Sequence, residues 1–219
     1  MKDGSYKPGA WQRFVRDYRE ADEVTRYMLS SDVTSTSNLL HGRNGFLKFP
    51  FLPVYTGEVL LSVIGLFCLA SSVFLVKCIG FVALAASLQP LIKVSTGLLL
   101  GVRYSYAYLW YFEPRFKMAY GTYLLLTRQQ RMLLHFAGSI GTPLAFGCGY
   151  VAFSEYNLLA LLCLLGTLGT AAMQVAAFAA RLYGVTHVGP FSLSHLTTPA
   201  MLAEEILQGR RVPGRSVLD

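Results

Sequence analysis

An all-α membrane protein with four spanning helices is the fold class this sequence predicts, and three observations predict it. Four apolar stretches, Val59 to Val76, Ile79 to Gly101, Met132 to Ser154 and Tyr156 to Ala180, carry almost no ionisable residue. A hydrocarbon core about 30 Å thick takes about 20 predominantly apolar residues in a helix, and each stretch is near or above that length. Of the 219 residues 53% are hydrophobic and 14% charged, and the mean hydropathy is +0.44. That is too apolar for one soluble domain and too long for a single span. Within lipid every backbone N–H and C=O must be bonded inside its own segment, so the stretches read as helices rather than strands.

In chain order, residues 1–50 form a polar region, 51–183 a four-span membrane domain and 184–219 a polar tail. From Trp11 to Met28 the first region predicts a helix. Trp11, Phe14, Val15 and Tyr18 share one face, and Arg13/Asp17, Arg16/Glu20, Arg19/Glu23 and Asp22/Arg26 pair at i,i+4. Ser30 to Asn44 is rich in Ser, Thr, Asn and Gly and reads as a linker. The start, Met1 to Gly9, holds no apolar h-region, and Asp17, Glu20, Asp22 and Glu23 argue against a typical transit peptide.

The spans are expected to form two hairpins joined by a long loop, 102–131. That loop holds Tyr104, Tyr106, Tyr108, Trp110, Tyr111, Phe112, Phe116, Tyr120 and Tyr123, rings that favour the headgroup level. Between Pro114 and Gln130 the stretch mixes Phe116, Tyr120, Tyr123 and Leu124 with Arg115, Lys117 and Arg128, which predicts an amphipathic interfacial helix. Arg103, Arg115, Lys117, Arg128 and Arg131 would present its basic side to anionic lipid, cardiolipin in a mitochondrial membrane, or would serve simply as topological anchors. The formal charge of +7 sits beside the spans, where membrane topology explains it and nucleic acid does not. With one charge of each sign at the short connections, near Lys77 and Glu155, the positive-inside rule puts both termini in the cytoplasm or the matrix.

Inside the spans, small residues mark candidate helix contacts: Gly97 and Gly101 as G-x-x-x-G, Gly166 to Thr170, and the face Gly169, Ala172, Ala176 and Ala180. Lipid supplies no hydrophobic drive between helices, so such faces pack by close backbone approach, within this chain or against a partner. Lys93 is the clearest intramembrane charge. It reads as snorkelling or as an ion pair with Glu58, with ion coupling as the other reading. No Asp or Glu lies at mid-depth, which weighs against proton relays and cation-coupled transport. The cysteines Cys68, Cys78, Cys148 and Cys163 read as packing residues rather than as a disulfide or metal set. His41, His135, His187 and His195 are scattered, and no H-E-x-x-H, G-x-S-x-G or phosphate-binding glycine loop occurs. Neither an enzyme nor a cofactor site is predicted.

Tyr55-Thr56-Gly57 with Gly65 and Cys68 beyond it resembles the opening of the transmembrane protein 70 family. Arg181-Leu182-Tyr183 and Ala200-Met201-Leu202-Ala203-Glu204 resemble the segment after that family's second span. The resemblance implies an inner mitochondrial membrane location and a part in assembling ATP synthase or complex I. The family is a two-span hairpin, whereas two further spans and the aromatic loop intervene here. The expectation is a non-catalytic accessory subunit of a large membrane complex of oxidative phosphorylation, ATP synthase or respiratory chain, that packs helices and organises lipid. The alternatives are a small transporter or channel, or an assembly factor.

Overall fold

The computed structural model describes residues 10–110, 113–185, 187–188, 191–192 and 197–208, and is mostly helical. Its four long apolar helices are α3 (Phe51–Leu69), α4 (Phe74–Leu99), α6 (Arg128–Ala152) and α7 (Asn157–Leu182). Before them lie α1 (Ala10–Glu20), α2 (Glu23–Gly42) and the two-residue strand β1 (Lys48–Phe49). Between α4 and α6 come β2 (Tyr104–Trp110), β3 (Glu113–Met118) and the short α5 (Tyr120–Leu125). The pair β4 (His187–Val188) and β5 (Phe191–Ser192) precedes α8 (Thr197–Gln208).

Each long helix is long and apolar enough to cross a membrane, which makes this an integral membrane protein by length and composition. The first begins earlier than its hydropathy implies, at Phe51. Pro53 falls in the first turn, where the missing N–H would have no intrahelical partner anyway. It also ends earlier, at Leu69, where Ser71 Oγ accepts the Val73 N–H at 3.1 Å in the turn to α4. The packing runs in sequence, α3 on α4, α4 on α6 and α6 on α7. Both short connections lie at one end, where Lys77 Nζ donates to Ala152 O at 3.1 Å and Phe74 meets Tyr156. Leu69, Leu84 and Ala145 form the core of that half.

The other end carries a cap built from the remaining elements, and here three expectations are corrected. The helix expected from Trp11 to Met28 is two helices, because the Asp22 carboxylate accepts the Thr25 N–H at 2.9 Å and starts α2 afresh. The expected linker from Ser30 is the rest of α2. Its weak local propensity is overridden by packing, since Val33 and Ser37 bury one turn apart and Thr34 Oγ1 accepts the Gly121 N–H of α5 at 2.9 Å.

The third correction concerns the aromatic loop and makes the fold other than purely α. In place of one interfacial helix between Pro114 and Gln130 there are β3, the short α5 and the start of α6, and β3 belongs to an antiparallel sheet of order β1-β2-β3, with Lys48 opposite Tyr108 and Tyr108 opposite Arg115. Tyr104, Tyr106, Tyr108 and Trp110 recur at period two, and aromatic side chains on a pleated, half-buried surface favour a strand. The turn out of α4 aims β2. Gly101 has φ +86°, and the N–H groups of Val102 and Gly101 close on Gly97 O (2.8 Å) and Leu98 O (3.0 Å) in a Schellman motif. Tyr18, Val33, Val102, Tyr123, Leu124, Leu126 and Leu134 form one core that joins cap to bundle.

Candidate functional site

Two polar constellations lie where the cap meets the spans. The first is centred on Glu205 of α8, a buried carboxylate. Arg131 Nε donates to its Oε2 at 2.9 Å, Arg19 Nη2 to its Oε1 at 3.2 Å, and the Tyr123 hydroxyl to Oε1 at 3.3 Å. Because an ionised carboxylate only accepts, the phenol proton points to Glu205, and the Tyr123 oxygen then accepts from His135 Nε2 at 2.8 Å. That assigns the His135 tautomer from the network. Burial, its largest cause, pushes the Tyr123 phenol above its usual range, so the group stays a donor. Arg128 completes the junction by donating to Glu205 O at 2.8 Å and Ile206 O at 3.0 Å, carbonyls in the last turn of α8 that lack helical partners. Arg131 and His135 stand one turn apart on α6, which presents the first to Glu205 of α8 and the second to Tyr123 of α5. His135 to Tyr123 to Glu205 is a hydrogen-bonded chain, but all three groups are enclosed and none lines the neighbouring cavity.

The second constellation is that cavity, of about 600 Å³, between α4, α6, α7, α8 and the sheet. Such a volume falls within the range of small-ligand sites, about 300–1,000 Å³. Gln89 and Lys93 of α4, Thr142 of α6 and Gln174 of α7 line it from the membrane side, and Glu113 and Arg115 of β3 from the cap. Lys93 Nζ donates to Thr198 Oγ1 at 3.3 Å, and Thr142 Oγ1 to Gln89 Oε1 at 3.1 Å. Arg115 forms a two-pronged bond to Glu113 Oε2 at 3.1 and 2.9 Å and lies over the Trp110 ring.

The residues singled out from sequence are distributed differently from their expected roles. Among the described residues no ion pair joins Glu58 to Lys93; Lys93 meets Thr198, and Glu58 Oε2 is buried with no hydrogen-bond partner. The five basic loop residues do not gather on one surface. Arg103 is exposed, Arg115 holds Glu113, Lys117 Nζ donates to Ser37 Oγ at 2.7 Å, and Arg128 and Arg131 hold α8. Gly97 admits the Tyr104 ring and Gly166 the Phe146 ring, while Gly101 serves the turn. Gly169, Ala172 and Ala176 point outward and Ala180 is half-buried, so this face is not the one α7 packs within the chain; Ala160, Cys163 and Ala177 are. Gly65, Gly80, Gly138, Gly141 and Gly149 also make close approaches within the bundle, and Gly121 of α5 meets the Ser30 carbonyl of α2. All four cysteines are free thiols.

Lys117 yields a pH-dependent prediction. Burial lowers its amine from 10.5 to about 8, with Ser37 as hydrogen-bond partner and the Tyr120 ring alongside. Between about pH 8 and 10.5 the unfolded chain binds the proton and the folded chain does not, so stability rises with pH across that window. Lys117→Met is expected to abolish this rise. Thermal unfolding midpoints of both proteins from pH 7 upward check it, and parallel curves would refute it.

An integral membrane protein with a polar junction and a cavity beneath a surface cap is the class these features define. No protein family, curated protein or solved structure was found to match the chain.

Proposed function

We propose that this chain is a non-catalytic structural subunit of a larger membrane complex. The observation that carries the reading is the junction at Glu205, which ties the first and last described helices to α6 through Arg19 and Arg131. Side chains able to do acid–base chemistry there are enclosed in a weld, and the result is a rigid platform on one end of four spans. The outward face of Gly169, Ala172 and Ala176 supplies the lateral contact, because small side chains let a partner helix approach where lipid gives no hydrophobic drive. The setting we infer is the mitochondrial inner membrane, with both termini in the matrix and anionic lipid, cardiolipin among it, at the cap. The complex is one of oxidative phosphorylation, ATP synthase or respiratory chain. This setting rests on the charge asymmetry and on the resemblance to the transmembrane protein 70 family, which also keeps an assembly role in view. Nucleic acid is not among the partners.

One observation favours a second reading, a small transporter: the cavity reaches Lys93, the intramembrane cation. A route would also have to cross the far half of the bundle. There Leu69, Leu84 and Ala145 form a core with Phe81 and Leu88, and the buried Ser62–Ser87 hydroxyl pair at 2.7 Å bridges α3 and α4. The cavity is therefore better read as blind.

Purification from native membranes in mild detergent, with quantitative mass spectrometry, tests the choice. The expected result is a fixed stoichiometry with other membrane polypeptides that falls in Ala176→Leu. Recovery as a lone polypeptide, unaffected by Ala176→Leu and supporting solute flux in proteoliposomes, would overturn the subunit reading.

A further inference from the structure

The cavity between spans and cap contains a cation that its described walls do not neutralise. Lys93 has one polar contact among the described residues, the Thr198 hydroxyl at 3.3 Å. An ammonium carries three donors and a full charge, and a hydroxyl satisfies one donor and no charge. Glu113 lines the same cavity, but its Oε2 already accepts both Nε and Nη2 of Arg115. A second, independent signal lies beside it. Gln174 Oε1 is buried without a partner, and Gln89, whose oxygen accepts from Thr142, keeps its amide N–H groups for another acceptor. A cation and the donating Gln89 amide call for anionic oxygens, and the orphaned Gln174 oxygen, an acceptor, calls for a hydroxyl on the same ligand.

The surroundings select which kind. The cap side of the cavity is walled by the Tyr104, Tyr108 and Phe116 rings, residue types that favour headgroup depth. Met173 of α7 both lines the cavity and is 56% exposed on the outer apolar surface, so the cavity borders the lipid-facing side there.

We propose that this cavity seats the phosphate headgroup of an anionic phospholipid, with Lys93 as counter-ion, the Gln89 amide N–H groups on its oxygens, a headgroup hydroxyl donating to Gln174 Oε1, and an acyl chain leaving past Met173. This goes beyond a structural role for the chain and does not depend on partners. A free phosphate ion would meet the same Lys93 but would leave the apolar remainder of the cavity unfilled.

The test uses the purified full-length protein, delipidated in zwitterionic detergent and titrated with phosphatidylglycerol, with phosphatidylcholine of matched chains, and with inorganic phosphate, read by native mass spectrometry. One phosphatidylglycerol per chain is expected. Lys93→Gln should weaken it about tenfold, the scale of one hydrogen bond to a charged group, and Lys93→Arg should retain it. Gln174→Leu, which removes no charge, should also weaken it, and it decides the matter if Lys93→Gln unfolds. Unchanged binding in the folded variants, or equal retention of phosphatidylcholine, would overturn the proposal. Competition by inorganic phosphate at equal concentration would overturn the lipid in favour of a soluble anion. Because the isolated chain is measured, failure here is distinguishable from failure of the subunit reading.

Discussion

Glu205→Gln should free α1 and α8 from the membrane bundle while the four spans remain inserted. The carboxylate is the shared acceptor for Arg19 and Arg131, whose side chains are 21% and 12% exposed, while its own is 4% exposed. Removing one partner from a buried ion pair leaves uncompensated charge in a low-dielectric site, which typically destabilises by about 3–5 kcal/mol. The loss falls on the cap because Glu205 lies in α8, outside α3, α4, α6 and α7, which pack on one another in sequence. Hydrogen exchange of α1 and α8 should accelerate sharply and trypsin should cut at Arg13 and Arg16, with exchange in the spans unaltered. Protection equal to wild type in α1 would show that the junction does not hold the cap.

The second large effect is expected at the α3–α4 contact. A Cβ on Gly80 would stand 2.7 Å from Gly65 O and 2.7 Å from Leu69 N, backbone atoms that cannot rotate aside. Gly80→Val must push the helices apart, and forced overpacking costs about 1–3 kcal/mol or more when neighbours cannot yield. Separation also breaks the Ser62–Ser87 hydroxyl pair. Gly147→Ala is the matched control, since nothing lies within 4 Å of its Cβ position. Helix propensity alone then predicts a gain of about 0.5–1 kcal/mol. Thermal unfolding in one detergent should move the two variants in opposite directions. A Gly80→Val midpoint equal to wild type would mean the helices do not meet there.

The spans are legible in the sequence because bilayer thickness imposes a length and a composition that hydropathy reads directly. Their ends are less so, since Phe51 to Gly57 mixes proline, glycine and aromatics that a composition window discounts, yet the backbone there is helical. The strands escape the same reading for a physical reason. The aromatics from Tyr104 to Trp110 have an affinity for the headgroup level that masks their period of two, and that period, visible in the same residues, specifies a pleat. Lys93 is legible as an outlier in lipid, but its neighbour Thr198 lies in a polar tail with no local pattern that announces it. Glu205 is equally silent. The available signal is on the other side, in Arg131 and His135 one turn apart at the end of an apolar helix, two polar groups on a face that needs a partner. Gly169 and Ala172 mislead because small residues mark where approach is possible, and only the rotation of α7 about its axis decides where it occurs.

The pairing of β1 with β2 sets an order of events during biogenesis. Lys48 precedes the first span and Tyr108 comes after the second, so the ladder between them can close only after α3 and α4 have both crossed and returned. Completion of the sheet thus reports that the first pair of spans has inserted correctly. The contact of Arg19 with Glu205 reports the same for all four, since it joins the chain before the first span to the chain after the last.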